Sequence, residues 1–294
     1  MKKLFIPFVC VMAVVSFFSC KKEYSLENGS NAANANIIGT DCRIAKIVFG
    51  DSATGVGRGS LSATINTSDK AIDVTKFDSL TATIDYNATP VYLADTVFIN
   101  ADEYYVVDIT TARVKKFRGL VDPTNPFSLK FDIYFTYDAS GYLINKSYEL
   151  VMFPGFPVQN VNYTYNAVGN LTHMEETDLT AGGDFVSTAD VTYYDIVPFN
   201  AIAPKNFIYI FPDEEDYAAF TQFLNFGKRT TNAIKSLKVY YYDPGNVVRD
   251  SAVSSFKSYT KSADNYITSV IMTGDDQPSI PAEAGKLKFG YKCK

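Results

Sequence analysis

The chain has 294 residues, 47% apolar, 15% aromatic and 20% charged, with a formal net charge of −5. That apolar fraction excludes a disordered protein, and a mildly acidic chain without clustered Lys and Arg excludes nucleic-acid binding by bulk charge. The length suits one large or two ordinary domains burying roughly 75% of the unfolded surface, and no interior run reaches the ~18 apolar residues of a spanning helix.

The first twenty residues read as an address. Lys2 and Lys3 precede an apolar stretch from Leu4 to Phe18 that ends at Ser19-Cys20, the order of a secretory signal. Ser16-Phe17-Phe18-Ser19-Cys20 resembles a bacterial lipobox, with Phe17 in place of the usual Leu. The resemblance implies removal of residues 1–19, lipid on Cys20, and an outer-membrane lipid-anchored protein of the cell envelope, periplasmic or surface-exposed. An ordinary signal with an incidental Cys is the plainer alternative. Two or more acyl chains anchor stably, so the body is expected to be tethered, not spanning. Residues 20–41, rich in Asn, Ala, Gly and Ser, read as the lipidated Cys and a flexible tether.

Residues 42–294 read as a single β-rich domain with a candidate sub-boundary at the Pro-containing turn 122–126. Cys10 leaves with the signal and Cys20 carries lipid, which leaves Cys42 and Cys293 at the two ends of the body. In an oxidising compartment such a pair is expected as a disulfide, with two free thiols as the alternative. A metal site is disfavoured by one His and no CxxC; no cofactor is expected.

Strand signals dominate the body. Leu80, Ala82, Ile84 and Tyr86 alternate with polar residues, as do Phe127, Leu129, Phe131, Ile133, Phe135 and Tyr137, and later Leu287, Phe289, Tyr291 and Cys293. Period two with one wet face predicts antiparallel sheet. Two hairpin turns repeat: Asp138 and Gly141 in one, Asn166 and Gly169 in the next, with the glycines 28 residues apart. Asn265 stands where Gly stood in a third copy, and Tyr240–Val247 reads as a shortened one. Asp or Asn opens such a turn by bonding its own backbone, and Gly or Asn accepts positive φ at the exit. Between the second and third copies, Pro212-Asp213-Glu214-Glu215-Asp216 leads into Tyr217, Phe220, Phe223 and Leu224 before Gly227. That spacing predicts a short amphipathic helix near 213–226. The expected fold is mainly β: an extended, twisted antiparallel β-meander, open or partly rolled, with that one helix.

The lipobox, a Cys opening the first strand, the Y-x-Y-[DN]-x-x-G-x-L hairpins and a closing Phe-Gly-Tyr-Lys-Cys strand together resemble the uncharacterised Bacteroidota lipoproteins of the DUF4595 type, whose hairpins are similar to YD/RHS repeats. About residues 129–293 carry the likeness. It implies a β-meander and supplies no catalytic residue.

Candidate chemistry is thin, and each candidate has a structural explanation. His173, near Glu175 and Glu176, could be a general base, but an ordinary strand residue is the stronger reading. The run Asp213–Asp216 suits a helix N-terminus better than Ca²⁺, and Gly274-Asp275-Asp276 suits a turn. Gly55-Val56-Gly57-Arg58-Gly59 lacks the GK[ST] ending of a phosphate loop. Tyr134, Tyr142 and Tyr240 are candidate ligand-facing aromatics, able to stack a sugar or flank an added strand. The resulting expectation is a non-enzymatic, lipid-anchored envelope protein binding, adhering or scaffolding through its sheet. The alternative is an accessory glycan-binding lipoprotein of a polysaccharide-uptake system. Its partners would be the membrane through the anchor and a protein or glycan ligand, and no nucleic acid.

Overall fold

The alternating segments become strands, and among the described residues no helix forms. The computed structural model describes residues 42–51, 57–66, 70–78, 83–122, 125, 127–180, 182–195, 224–228, 230, 232–263, 267–274 and 283–293. In chain order the strands are β1 (Cys42–Asp51), β2 (Gly57–Ile65), β3 (Ala71–Asp78), β4 (Thr83–Ala88), β5 (Val91–Tyr92), β6 (Thr96–Phe98), β7 (Tyr104–Val107), β8 (Val114–Leu120) and β9 (Lys130–Tyr137). They continue with β10 (Leu143–Leu150), β11 (Pro157–Tyr165), β12 (Leu171–Asp178), β13 (Asp184–Tyr193), β14 (Ile234–Asp243), β15 (Val247–Lys261), β16 (Ile267–Gly274) and β17 (Glu283–Cys293).

They form one 17-stranded antiparallel sheet. Each strand pairs with its successor except at β4 and β5, and β17 returns to pair with β1. The ladder is open at β4 and β5, yet its two edges are consecutive in the chain. Only Thr89 and Pro90 separate them, and because every other step reverses direction, β4 and β5 run the same way. Burial alternates straight through: Ala88 and Pro90 are buried while Asn87, Thr89 and Val91 are exposed. They are two halves of one extended run, the first paired with β3 and the second with β6. Pro90, having no N–H to give a ladder, marks the change. Counted as one run they leave an even number of strands, as an antiparallel ring needs. The sheet is a ring of up-and-down ribbons with a single seam.

The ring is apolar inside and polar outside. Inward residues from every region, among them Ile47, Val74, Val97, Ile133, Val239 and Leu287, belong to one buried cluster. Lys130, Thr164, Asp190, Lys235, Lys257 and Lys288 are exposed on the other face. A round barrel with this many strands would enclose an aqueous channel. Here Tyr105, Ile133, Leu143, Leu171 and Met174 are wholly excluded from solvent, so side chains fill the enclosed space.

Cys42 stands opposite Cys293 in the β1–β17 register, which puts both ends of the body on one rim. This proximal rim also carries the turns at 66–70, 93–95, 108–113, 138–142 and 166–170. The distal rim carries those at 99–103, 121–129, 151–156, 179–183 and 244–246. Gly245 and Asn246 both take positive φ, 81° and 60°, so Tyr240–Val247 is a hairpin, but on the rim opposite the Asp138 and Asn166 turns.

Two expectations shift. Residues 213–223 of the expected helix lie outside the described residues, and its described end is not helical. Asn225 instead bridges Arg113, its carbonyl taking the Val114 N–H at 2.8 Å. The alternation predicts strand from Phe127, but β9 begins at Lys130. There the Asn125 side chain and carbonyl accept the Phe127 and Ser128 N–H groups, and this turn bonding overrides the pattern. At the 122–126 sub-boundary, β8 and β9 pair from Leu120↔Lys130 onward, and the sheet continues across it.

Candidate functional site

The proximal rim is built by a repeated device. At the end of one strand a Tyr hydroxyl donates to the carbonyl that begins the preceding strand: Tyr137 to Val114 (2.7 Å), Tyr193 to Leu171 (2.7 Å), Tyr259 to Ile234 (2.8 Å) and Tyr291 to Ile267 (2.5 Å). All four accepting residues are 0% exposed. Each bond clasps the open ends of a distal hairpin together. Burial pushes the Tyr193 and Tyr259 hydroxyls far above the ordinary tyrosine range, so both stay protonated donors.

The expected turn residues do what their chemistry suggests. Asp138 Oδ1 accepts the Tyr142 N–H at 2.8 Å, and Gly141 exits at φ 93°. Asn166 Oδ1 accepts the Val168 and Asn170 N–H groups at 3.1 and 3.0 Å, and Gly169 exits at φ 83°. The sequence does not reveal that both turns receive a second segment. Lys228 N–H donates to the Gly141 carbonyl at 2.8 Å, and Asn232 N–H to Asn170 Oδ1 at 2.9 Å. Just before the first of these points Phe226, 1% exposed, enters the ring and meets Tyr105 and Phe135 edge-on at 6.1 and 5.2 Å. The segment is a strap that plugs this rim.

A row with polar members crosses the inside of the ring obliquely, from the proximal part of β9 to the distal part of β14. The register runs Phe135, Lys146, Val161, Glu176, Ser187 and Tyr241 across β9 to β14. Lys146, Glu176 and Ser187 are 1%, 2% and 0% exposed. Ser187 donates to Glu176 Oε2 at 2.6 Å, and Gln159 donates to its other oxygen. Burying these groups is tolerable because hydrogen bonds replace water. The bonds of Glu176 to Ser187 and Gln159 tie β12 to both of its neighbouring strands.

On the outer face Arg118 holds Asp132 through both oxygens at 2.7 Å, and Lys116 lies 3.5 Å from the same carboxylate. Burial pushes the Asp132 carboxyl up, but the Arg118 hydrogen bonds and the two cationic charges outweigh it, leaving the group below the usual range. Tyr134 leans its hydroxyl toward Asp132 at 3.4 Å. His173 does have an orienting partner, invisible in sequence: Nδ1 lies 2.7 Å from Oδ1 of Asp190, its cross-strand neighbour. Both are well exposed, at 39% and 53%, without the water-excluding enclosure that favours general-base chemistry.

The three candidate aromatics do not meet. Tyr134 is on β9 and Tyr240 on β14, and Tyr142 is in a proximal turn. Tyr240 lies under the Lys238 ammonium at 4.5 Å, and the Tyr142 ring rests against Tyr165 at 4.7 Å. Gly57 and Gly59 belong to β2, not to a phosphate loop. Cys20, Asn265, Asp213–Asp216, Asp275 and Asp276 lie outside the described residues. Among the described residues no group of three or more His, Cys, Asp or Glu gathers as a metal would require.

No protein-family model and no curated protein matches the chain, and the DUF4595-type resemblance has no support at the family level. The fold is similar to that of a porin-like protein from Bacteroides uniformis, with TM-score 0.60 and 12% identity over 85% of this chain and 98% of that one. At that identity the likeness concerns fold alone. A porin-like protein from Bacteroides vulgatus overlaps 86% of this chain and 99% of its own at 11% identity, with TM-score 0.46.

Proposed function

We propose that this is a non-enzymatic envelope protein, held to the outer membrane by lipid on Cys20, that binds or scaffolds through the outer surface of its ring. The polarity of the ring carries this reading. A wall-spanning barrel turns an apolar band about 25 Å tall toward lipid, whereas this sheet turns Lys, Thr and Asp outward and fills its interior with apolar side chains. Such a body suits water, and membrane residence then calls for an anchor of the kind the lipobox resemblance implies. The porin-like description of the Bacteroides uniformis protein agrees with an envelope setting. The reading does not extend to a pore, because among the described residues the inner face is packed with buried apolar side chains.

Radiolabelled palmitate should enter the wild-type chain and not Cys20→Ser, and only the labelled form should partition into a detergent phase. Wild-type chain that takes up no label would refute the anchor. Retention on a polysaccharide panel that is lost on replacing Tyr134 or Tyr240 would move the role to glycan binding.

A further inference from the structure

Two adjacent distal turns display large apolar side chains to solvent. In the β8–β9 turn Phe127 is 93% exposed, and in the β10–β11 turn Phe156, Met152 and Phe153 are 73%, 58% and 54% exposed. Soluble surfaces rarely concentrate apolar groups in this way. Both turns are bonded structures. Val121 N–H donates to the Leu129 carbonyl at 2.8 Å and Val151 N–H to that of Lys130 at 2.9 Å, which ties one turn to the other. Phe153 N–H donates to the Leu150 carbonyl at 2.8 Å, and Gly155 turns the chain at φ 81°.

Asp122 is the one charge inside the β8–β9 turn, and the β10–β11 turn has none of its own. Glu149 accepts the Gly155 N–H at 2.8 Å, and Lys130 pairs with Asp102 at 2.6 Å. From Leu150 to Pro157 the sequence LVMFPGFP has no charge at all. A tip of this kind offers apolar area and asks for no directional polar partner.

We propose that these two turns insert into the interfacial layer of a lipid bilayer, as a reversible second contact beside the Cys20 lipid. A bilayer fits better than a protein partner, because the apolar groups sit on exposed turns, the uncharged LVMFPGFP run supplies no directional polar contact, and the flanking Glu149 and Lys130 are engaged within the chain. The geometry permits it. A 22-residue chain of the flexible kind that the composition of residues 20–41 predicts would have a root-mean-square span of roughly 26 Å and an extended reach of about 70 Å. A ten-residue strand such as β1 is about 33 Å long, so the distal rim can reach the leaflet that holds the lipid. Only this reach depends on the anchor; the insertion itself does not.

The test uses the mature chain carrying Cys20→Ser, so that no acyl chain contributes, and vesicles of phosphatidylethanolamine and phosphatidylglycerol. The chain contains no Trp, which makes Phe156→Trp a sole reporter. Its emission should shift to the blue on adding vesicles and be quenched by brominated lipid, whereas Tyr134→Trp on the outer face should do neither. Flotation with vesicles should fall at least 30-fold in the triple variant F127S/F153S/F156S, with its thermal unfolding unchanged. Absence of flotation at millimolar lipid, an unshifted emission from the Phe156→Trp reporter, or loss of that signal into a protein complex without lipid would overturn insertion. Failure of palmitate labelling would leave this result intact, so the two readings fail separately.

Discussion

Asp132 shows how one buried carboxylate is kept charged. Its oxygens face a guanidinium fork and an ammonium, and these outweigh the cost of burial. A carboxyl held below its unfolded value of about 3.9 contributes stability above about pH 4 and loses it as pH falls through the folded value. Asp132→Asn should therefore cost about 1.5–3 kcal/mol at neutral pH and flatten acid unfolding below pH 4, as followed by circular dichroism. An unchanged acid limb would refute the assignment. Gly227 is the other telling residue. A Cβ there would lie 2.5 Å from the Gly141 carbonyl oxygen, and its φ is 90°. Gly227→Ala should destabilise by more than about 1 kcal/mol and expose the strap to proteolysis. If the strap stays protected, it is not seated through that contact.

At the scale of elements, the tyrosine clasps set the alkaline limit. A tyrosine raised in the folded state stays protonated there while the unfolded chain ionises, so stability is whole below about pH 10 and drains above it. Tyr193 and Tyr259 are the strongest contributors. Tyr259→Phe should cost about 0.5–1.5 kcal/mol at pH 7 and move the alkaline unfolding midpoint upward. A midpoint that does not move would deny the clasp its role. The third copy also shows how far a motif can be trusted. By sequence Tyr259 aligns with Phe135, but by position in the ring it acts as Tyr137 does. Irregular pairing at Lys257–Thr260, with Ser258 at φ 54°, shifts the register and brings a different ring to the clasp.

For the whole molecule, closure is the decisive property, and it rests on two places. Cys42 and Cys293 are directly opposed in an antiparallel ladder, and such pairs lie about 4.5–5.5 Å apart at Cα, within the span a disulfide takes. The proposed bridge would add at most about 5 kcal/mol by restricting the unfolded chain. Oxidised protein should resist thiol labelling until reduced, and Cys42→Ser should lower the melting temperature. Two thiols that label freely in the folded, oxidised protein would exclude the bridge. The seam is the weaker place, because β4 and β5 lack a shared ladder. Hydrogen exchange should be fastest in Thr83–Tyr92 and slowest in β11–β14, and equal protection would show that the ring opens elsewhere.

Period-two alternation in Leu287–Cys293 and Phe131–Tyr137, with Asp138, Gly141, Asn166 and Gly169 between strands, made the antiparallel meander and its tight turns legible. These features depend on neighbours a few residues apart, where pleat and turn chemistry act. The tethered-envelope proposal rests on the local signal around Cys20, outside the described residues. Other features needed the folded chain. The Phe226 plug, the His173–Asp190 pair, the buried Glu176 row and the ring itself join residues from distant parts of the chain, or from strands whose register no local pattern sets. Long-range pairing is fixed by the collective burial of the inner face, and a slip of one residue in any strand would turn its apolar set outward. The tertiary structure alone decided that the run of hairpins curls round until β17 pairs with β1, leaving the ladder open only between β4 and β5.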